Sequence, residues 1–158
     1  MNRGACLDCT GAYRYTLWRE WDTGSSKVGF VMLNPSRADA VVDDPTIRRC
    51  IGFAKTWGFG GLEVVNLFAY RTAHPRDLRT VSEPIGADND AYLRSLPQRV
   101  DRIILAWGNG GTWLNRDRAA LQMVSPRPVY CFGVTQVGQP KHPLYIPASA
   151  AVIPFIAT

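Results

Sequence analysis

Hydrophobic and polar positions divide the chain into alternating strand-like and helix-like stretches. "YRYTLWREW" (13–21) alternates β-favouring residues with charged ones, the pattern of a half-exposed strand. The turn-like "DTGSSK" (22–27) leads into a continuous apolar run, "VGFVMLN" (28–34). These two segments read as an antiparallel hairpin whose second strand is the more buried. In "DDPTIRRCIGFAKTWGF" (43–59), Asp44 is a candidate helix N-cap with Pro45 at the first helical position. Ile47, Ile51 and Ala54 then recur at helical spacing until Gly58.

"GLEVVNLFAYR" (61–71) is a second buried strand, and "TAHPRDLRTVSEPIG" reads as a loop or a short helix. "ADNDAYLRSLPQR" (87–99) is helical, with Pro97 expected to stop it early. "VDRIILAWGNGG" (100–111) is a third strand ending in a glycine-rich turn, and "TWLNRDRAALQMV" (112–124) returns to helix. "RPVYCFGVT" (127–135) is a fourth strand, "QVGQPKHPLYIP" a loop, and "ASAAVIPFI" a short helix or an extended tail. The small, polar "MNRGACLDCTGA" leads into the fold.

After the opening hairpin, the strand–helix alternation indicates one α/β domain over residues 1–158 with a mainly parallel four-stranded core sheet. Ligands of such sheets bind beyond the carboxyl ends of the strands. The strands close on Asn34, on Asn66, on Gly108-Asn109 and on Gly133, so four polar turns are expected at one edge.

Composition changes this picture little. At 158 residues, 46% apolar and 20% charged, the chain is long enough to bury an ordinary core without disulfides or metal. The absence of a long apolar run or a leader pattern leads to the expectation of a soluble, non-secreted protein with no membrane association, and four scattered cysteines fit a reducing cytoplasm. The protein is also expected to be monomeric and without a cofactor. A net charge of +5 rests mostly on Arg, with Lys only at 27, 55 and 141. Such a bias suits phosphate-bearing partners such as DNA, RNA or a nucleotide-like small molecule, but Arg-favouring codon usage produces it equally well.

Asn34, in Asn34-Pro35-Ser36, is either ordinary turn chemistry or an amide delivered to a site by its strand. Asn66 carries the same ambiguity. His142 lies between prolines in "GQPKHPLY", a context that restricts its backbone, whereas His74 is less constrained. Asp44 reads mainly as the helix cap, and either Asp43 or Asp44 is a candidate acid or base. "GNGG", with Asn109, offers backbone N–H groups to an anion but lacks the Gly-Lys-Ser/Thr of a P-loop. Cys6-x-x-Cys9 is only half of a metal pattern, and no metal site is expected. Phe68 and Tyr70, just beyond Asn66, are the candidates for stacking on a planar ligand.

Together "YRYTLWREW", "FVMLNPSRADAVVDDPTIRRCIGFAKTWGFGGLEVVNLFAYR", "LAWGNGG" and "GQPKHPLYI" resemble a bacterial family known only as domain of unknown function 1643. More distantly, the order of the turns is similar to the uracil-DNA glycosylase superfamily. "MLNPS" is similar to the water-positioning turn of its mismatch-specific branch, "VVNLFAYR" to the strand end with its base-reading Asn, "LAWGNGG" to a Trp-Gly strand end and "KHPLY" to its His-Pro loop. This sequence departs in having no Gly before Asn34, in carrying Ser36, and in lacking the serines expected after His142.

That resemblance implies a three-layer α/β/α fold and a nucleobase-excising N-glycosylase acting on a modified or mismatched base. Asn34 would hold the water, Asn66 would read the base, and His142 would stabilise the leaving group. Arg37, Arg48 and Arg49 would contact phosphates. The competing expectations are a non-catalytic nucleic-acid or nucleotide-binding module, or a hydrolase of free nucleosides or nucleotides.

Overall fold

The structure, a computed structural model, describes residues 1–157. Seven strands form one mixed sheet: β1 (Asn2–Leu7), β2 (Arg14–Glu20), β3 (Lys27–Met32), β4 (Gly61–Asn66), β5 (Arg102–Leu105), β6 (Val129–Cys131) and β7 (Ile153–Pro154). Their spatial order is β1-β2-β4-β3-β5-β6-β7. Three helices complete the fold: α1 (Pro45–Thr56), α2 (Asn89–Arg99) and α3 (Arg116–Val124).

The longest apolar runs lie at the centre. β3 pairs in parallel with β4 on one side and β5 on the other, and β5 with β6. Buried on both faces, these strands need no polar alternation. Val28, Phe30 and Met32 pack with Ile47, Cys50 and Phe53 of α1, whereas Val31 packs with Leu93 and Leu96 of α2 and Ala120 and Val124 of α3. One helix therefore covers one face of the sheet and two cover the other.

The sheet is larger than the expected four strands, and the expected hairpin does not form. β2 pairs antiparallel with β4, which inserts between β2 and β3. Because β3 is apolar on both faces, it takes two parallel neighbours, and β2 is displaced outward. The 22–26 loop then wraps over the start of β4, with Trp21 and Asp22 donating to the Gly60 carbonyl and Gly60 donating to Ser26. A side chain at Gly60 would collide with Asp22 and Ser25. The N-terminal lead-in is itself an edge strand, β1, antiparallel to β2.

β2 is also far less exposed than its alternation implied. Arg14, Thr16 and Arg19 are buried, because the segment before α1 lies on one face and α2 on the other. Helix α2 runs past Pro97 to Arg99. The proline falls in the last turn, where Arg127 donates to the carbonyls of Pro97, Val100 and Asp101. α3 begins only at Arg116, after a 3₁₀ segment (Asn109–Asn115) with Leu114 and Asn115 both at φ 54°. The C-terminal tail is extended and pairs as β7 with β6. Among the described residues no helix is long and apolar enough to cross a membrane.

Two glycines give opposite tests of this packing. Gly29 lets α2 approach β3, since a Cβ there would sit 2.9 Å from Val100 Cγ2 and 3.3 Å from Leu96 Cδ1. Gly52, inside α1, faces open space. Gly29→Val is expected to destabilise by about 2–3 kcal/mol, and Gly52→Ala to stabilise by about 0.5–1 kcal/mol. Urea denaturation measures both.

Candidate functional site

The carboxyl ends of β3 and β4 lie side by side, with Met32 in register with Asn66. Beyond them the chains stay tied: Leu67 donates to Met32, Phe68 to Leu33 and Thr72 to Pro35. Asn34 adds a side-chain tie, its Nδ2 donating to Thr72 O at 2.9 Å and to Pro35 O at 3.0 Å. This uses the amide's donor end, while Oδ1 accepts no hydrogen bond among the described residues.

A cavity of about 90 Å³ opens at this edge, lined by Asn34, Pro35, Ser36, Asp44, Asn66 and His142 together with Arg14, Met32, Thr46, Ile47 and Pro75. That is several times the roughly 10–15 Å³ needed for one water. Asn66 is 1% exposed, and neither side-chain amide atom has a hydrogen-bond partner among the described residues. A buried amide left wholly unpaired is costly, so a polar group must meet it in the cavity.

Asp44 forms one wall through its local role. It caps α1, Oδ1 accepting from Ile47 N at 2.9 Å, while Oδ2 accepts from Ala38 N at 3.2 Å. Its sequence neighbour Asp43 points elsewhere, pairing with Arg19 Nε at 2.8 Å. The Arg19 guanidinium also donates to the carbonyls of Gly4, Trp18, Asp39 and Val42, so this pair ties the 39–43 segment to the sheet.

His142 enters from the loop before a short 3₁₀ turn (Pro143–Tyr145) and caps it, Nδ1 accepting from Leu144 N at 3.2 Å. An imidazole that accepts at Nδ1 carries its proton on Nε2 when neutral. Burial holds its pKa below the ordinary 6.5, partly opposed by the Asp44 carboxylate. At neutral pH it is therefore an uncharged Nε2–H donor. Arg49 anchors this loop to α1 by donating to Pro143 O and Ile146 O while lying over the Phe53 ring. Gly108 donates to Pro140 O and Lys141 to Gly133 O, fixing the same loop to the ends of β5 and β6.

Seven other sequence candidates do not line the cavity. Phe68 is fully buried and packs on Trp113 at 5.2 Å, because the chain turns after Asn66 and strand alternation no longer sets its face. Tyr70 bridges to Tyr13, their rings edge to face at 5.8 Å. Asn109 accepts from Thr135 Oγ1 at 2.6 Å, beyond a different strand. Arg48 donates to Asp43 O, Arg37 is exposed with its carbonyl held by Arg71, and Arg49 and Asp43 are engaged as described above. Among the described residues no group of three or more His, Cys, Asp or Glu is placed to hold a metal ion, and Cys6 and Cys9 are free thiols.

Sequence reasoning missed Arg14. Its side chain is buried, Nη1 donating to Ala38 O at 3.0 Å while Nε has no partner. Burial lowers its pKa to about 10, opposed in part by Asp44, so it remains a cation at neutral pH. The available signal was an arginine in a strand segment, flanked by the β-favouring Tyr13 and Tyr15.

A family model described as "Protein of unknown function (DUF1643)" matches residues 14–144, most of the chain. The chain belongs to that family. No curated protein and no solved structure matches it. The span shared with DUF1643 runs from Arg14 on β2 to the 3₁₀ turn that His142 caps, and so contains every cavity-lining residue.

Two measurements probe this geometry. Asp44→Ala strips the acceptor from two buried N–H groups and is expected to cost about 2–4 kcal/mol in chemical denaturation. His142 also makes stability pH-dependent. The unfolded imidazole takes up its proton near the ordinary 6.5, the folded one only at lower pH. Its contribution is therefore complete above that value and declines as the pH falls below it. His142→Asn keeps an acceptor for Leu144 N but does not titrate, so it should lose less stability than the wild type between about pH 7.5 and 5.5.

Proposed function

We propose that the strand-end cavity receives a nucleobase flipped out of DNA or RNA, and that the protein hydrolyses its N-glycosidic bond. The observation that carries this reading is Asn66, a buried amide with donor and acceptor both unpaired, facing the same cavity as Asn34 and His142. A base edge offers the matching acceptor and donor side by side. Pro35, Pro75, Met32 and Ile47 supply apolar walls for a planar ring, the role that Phe68 and Tyr70 were expected to fill.

In this mechanism the bond from the sugar C1′ to the base nitrogen lengthens with oxocarbenium character, and water adds to C1′ as the base departs. His142 Nε2–H donates to an oxygen of the leaving base, where negative charge develops. A preorganised donor of this kind contributes roughly 3 kcal/mol. Asn34 Oδ1 accepts from the attacking water and orients it. Asp44, whose oxygens each accept one backbone N–H, keeps further lone pairs for the water's proton and lends negative charge near the cation. Arg37 and Arg48, exposed and outside the cavity, would contact backbone phosphates and make binding salt-dependent.

The test is base release from single- and double-stranded DNA and RNA oligonucleotides, each carrying one modified or mismatched base. Asn34→Ala and His142→Ala are expected to slow release on the order of a hundredfold or more with oligonucleotide affinity retained. Wild-type protein that binds these oligonucleotides but releases no base is a binding module. Turnover of free nucleosides that DNA does not inhibit identifies a small-molecule hydrolase.

A further inference from the structure

The cavity contains a second buried, unpartnered group besides Asn66. Arg14 is 2% exposed, lines the same cavity, and its Nε–H donates to nothing among the described residues. Its placement there requires a break in strand alternation. Arg14 and Arg19 are five residues apart, an odd spacing that puts side chains on opposite faces of a regular strand. Both nevertheless reach the segment before α1, Arg14 through Ala38 O and Arg19 through Asp39 O and Asp43.

A bulge reconciles the two. Cys6 pairs with Thr16 but Leu7 with Arg14, so Tyr15 is an extra residue without a partner on β1. Its ring turns to the opposite face and stacks on Tyr92 at 5.3 Å with an interplanar angle of 1°. Bulges recur next to active sites, where the extra residue re-aims a neighbouring side chain. Arg14 N is held by Ala69 O at 2.9 Å, so the re-aimed backbone is fixed from the β4 side as well.

The chemistry of the two orphaned groups is complementary. An amide that no protein atom holds is free to flip, so Asn66 alone meets a lactam edge (C=O beside N–H) as well as an amidine edge (ring N beside NH₂). A guanidinium only donates, in every orientation. It rewards an oxygen and leaves an amino group facing another donor. We propose that Arg14 is the specificity-determining residue of the cavity, selecting a heterocycle with a carbonyl oxygen at its buried edge over the same ring with an amino group there.

This inference rests on the nucleobase reading of the site. Its test is titration of the whole protein with free bases in matched pairs, hypoxanthine against adenine and uracil against cytosine, followed by calorimetry and by the Asn66 side-chain amide resonance. Wild-type protein should prefer the carbonyl member of each pair by on the order of tenfold to a hundredfold, the usual weight of a hydrogen bond to a charged donor. Arg14→Gln, whose amide also flips, should bring the two members within about threefold of each other. Arg14→Lys, still donor-only, should retain the preference, and thermal melts establish that each variant is folded.

Equal binding of both members by wild-type protein overturns the role of Arg14 even if the variants do not fold, and leaves the nucleobase reading standing. An unchanged preference in folded Arg14→Gln also overturns it. Binding of none of the four bases overturns the nucleobase reading, and this inference with it.

Discussion

The carboxylate of Asp44 is the contact on which the site depends. It accepts from Ile47 N, which starts helix α1, and from Ala38 N, which fixes the segment crossing from β3 to that helix. Through the first bond it sets where α1 begins, and α1 in turn carries Arg49, which anchors the His142 loop. Through the second it positions Ala38, whose carbonyl accepts from Arg14. One side chain thereby ties β2, the β3 turn, α1 and the histidine loop around a single cavity. The same carboxylate partly opposes the burial penalties on Arg14 and His142, so the structural cap also favours their charged forms.

The buried polar and charged side chains divide by whether the protein completes their hydrogen bonds. Arg19 donates to four carbonyls and to Asp43 and is finished as a structural tie. Glu63 is likewise satisfied by Thr16 and Arg99. Arg14 and Asn66 are not, and both line the cavity. Native folds seldom leave such groups unmet. Of the four such atoms among the described residues, Arg14 Nε and both Asn66 amide atoms belong to residues that line one concave site, and Asn89 Oδ1 does not.

Much of this arrangement was legible in the sequence. Asp44-Pro45 announced the helix start, the continuous apolar runs marked the central strands, and the polar residues closing those runs pointed to the edge where the cavity lies. Pairing order was not legible. A short turn between two β-rich segments favours a hairpin, and nothing in "DTGSSK" shows that another strand will be inserted between them. Arg14 was hidden by the bulge at Tyr15, because period-2 alternation assigns faces only while the strand stays regular. Phe68 was misplaced for a related reason: two residues past the end of β4, its direction is set by the bond from its N–H to Leu33 O and no longer by the pleat. Membership of DUF1643 carries no stated activity.

The most direct test of a nucleobase-binding cavity is a crystal structure of the protein soaked with a free nucleobase. One planar ring is expected in the strand-end cavity, its edge paired with the Asn66 amide and an oxygen facing His142 Nε2. A ring bound elsewhere, or a cavity that keeps only ordered water on Asn66 at saturating base, would contradict it.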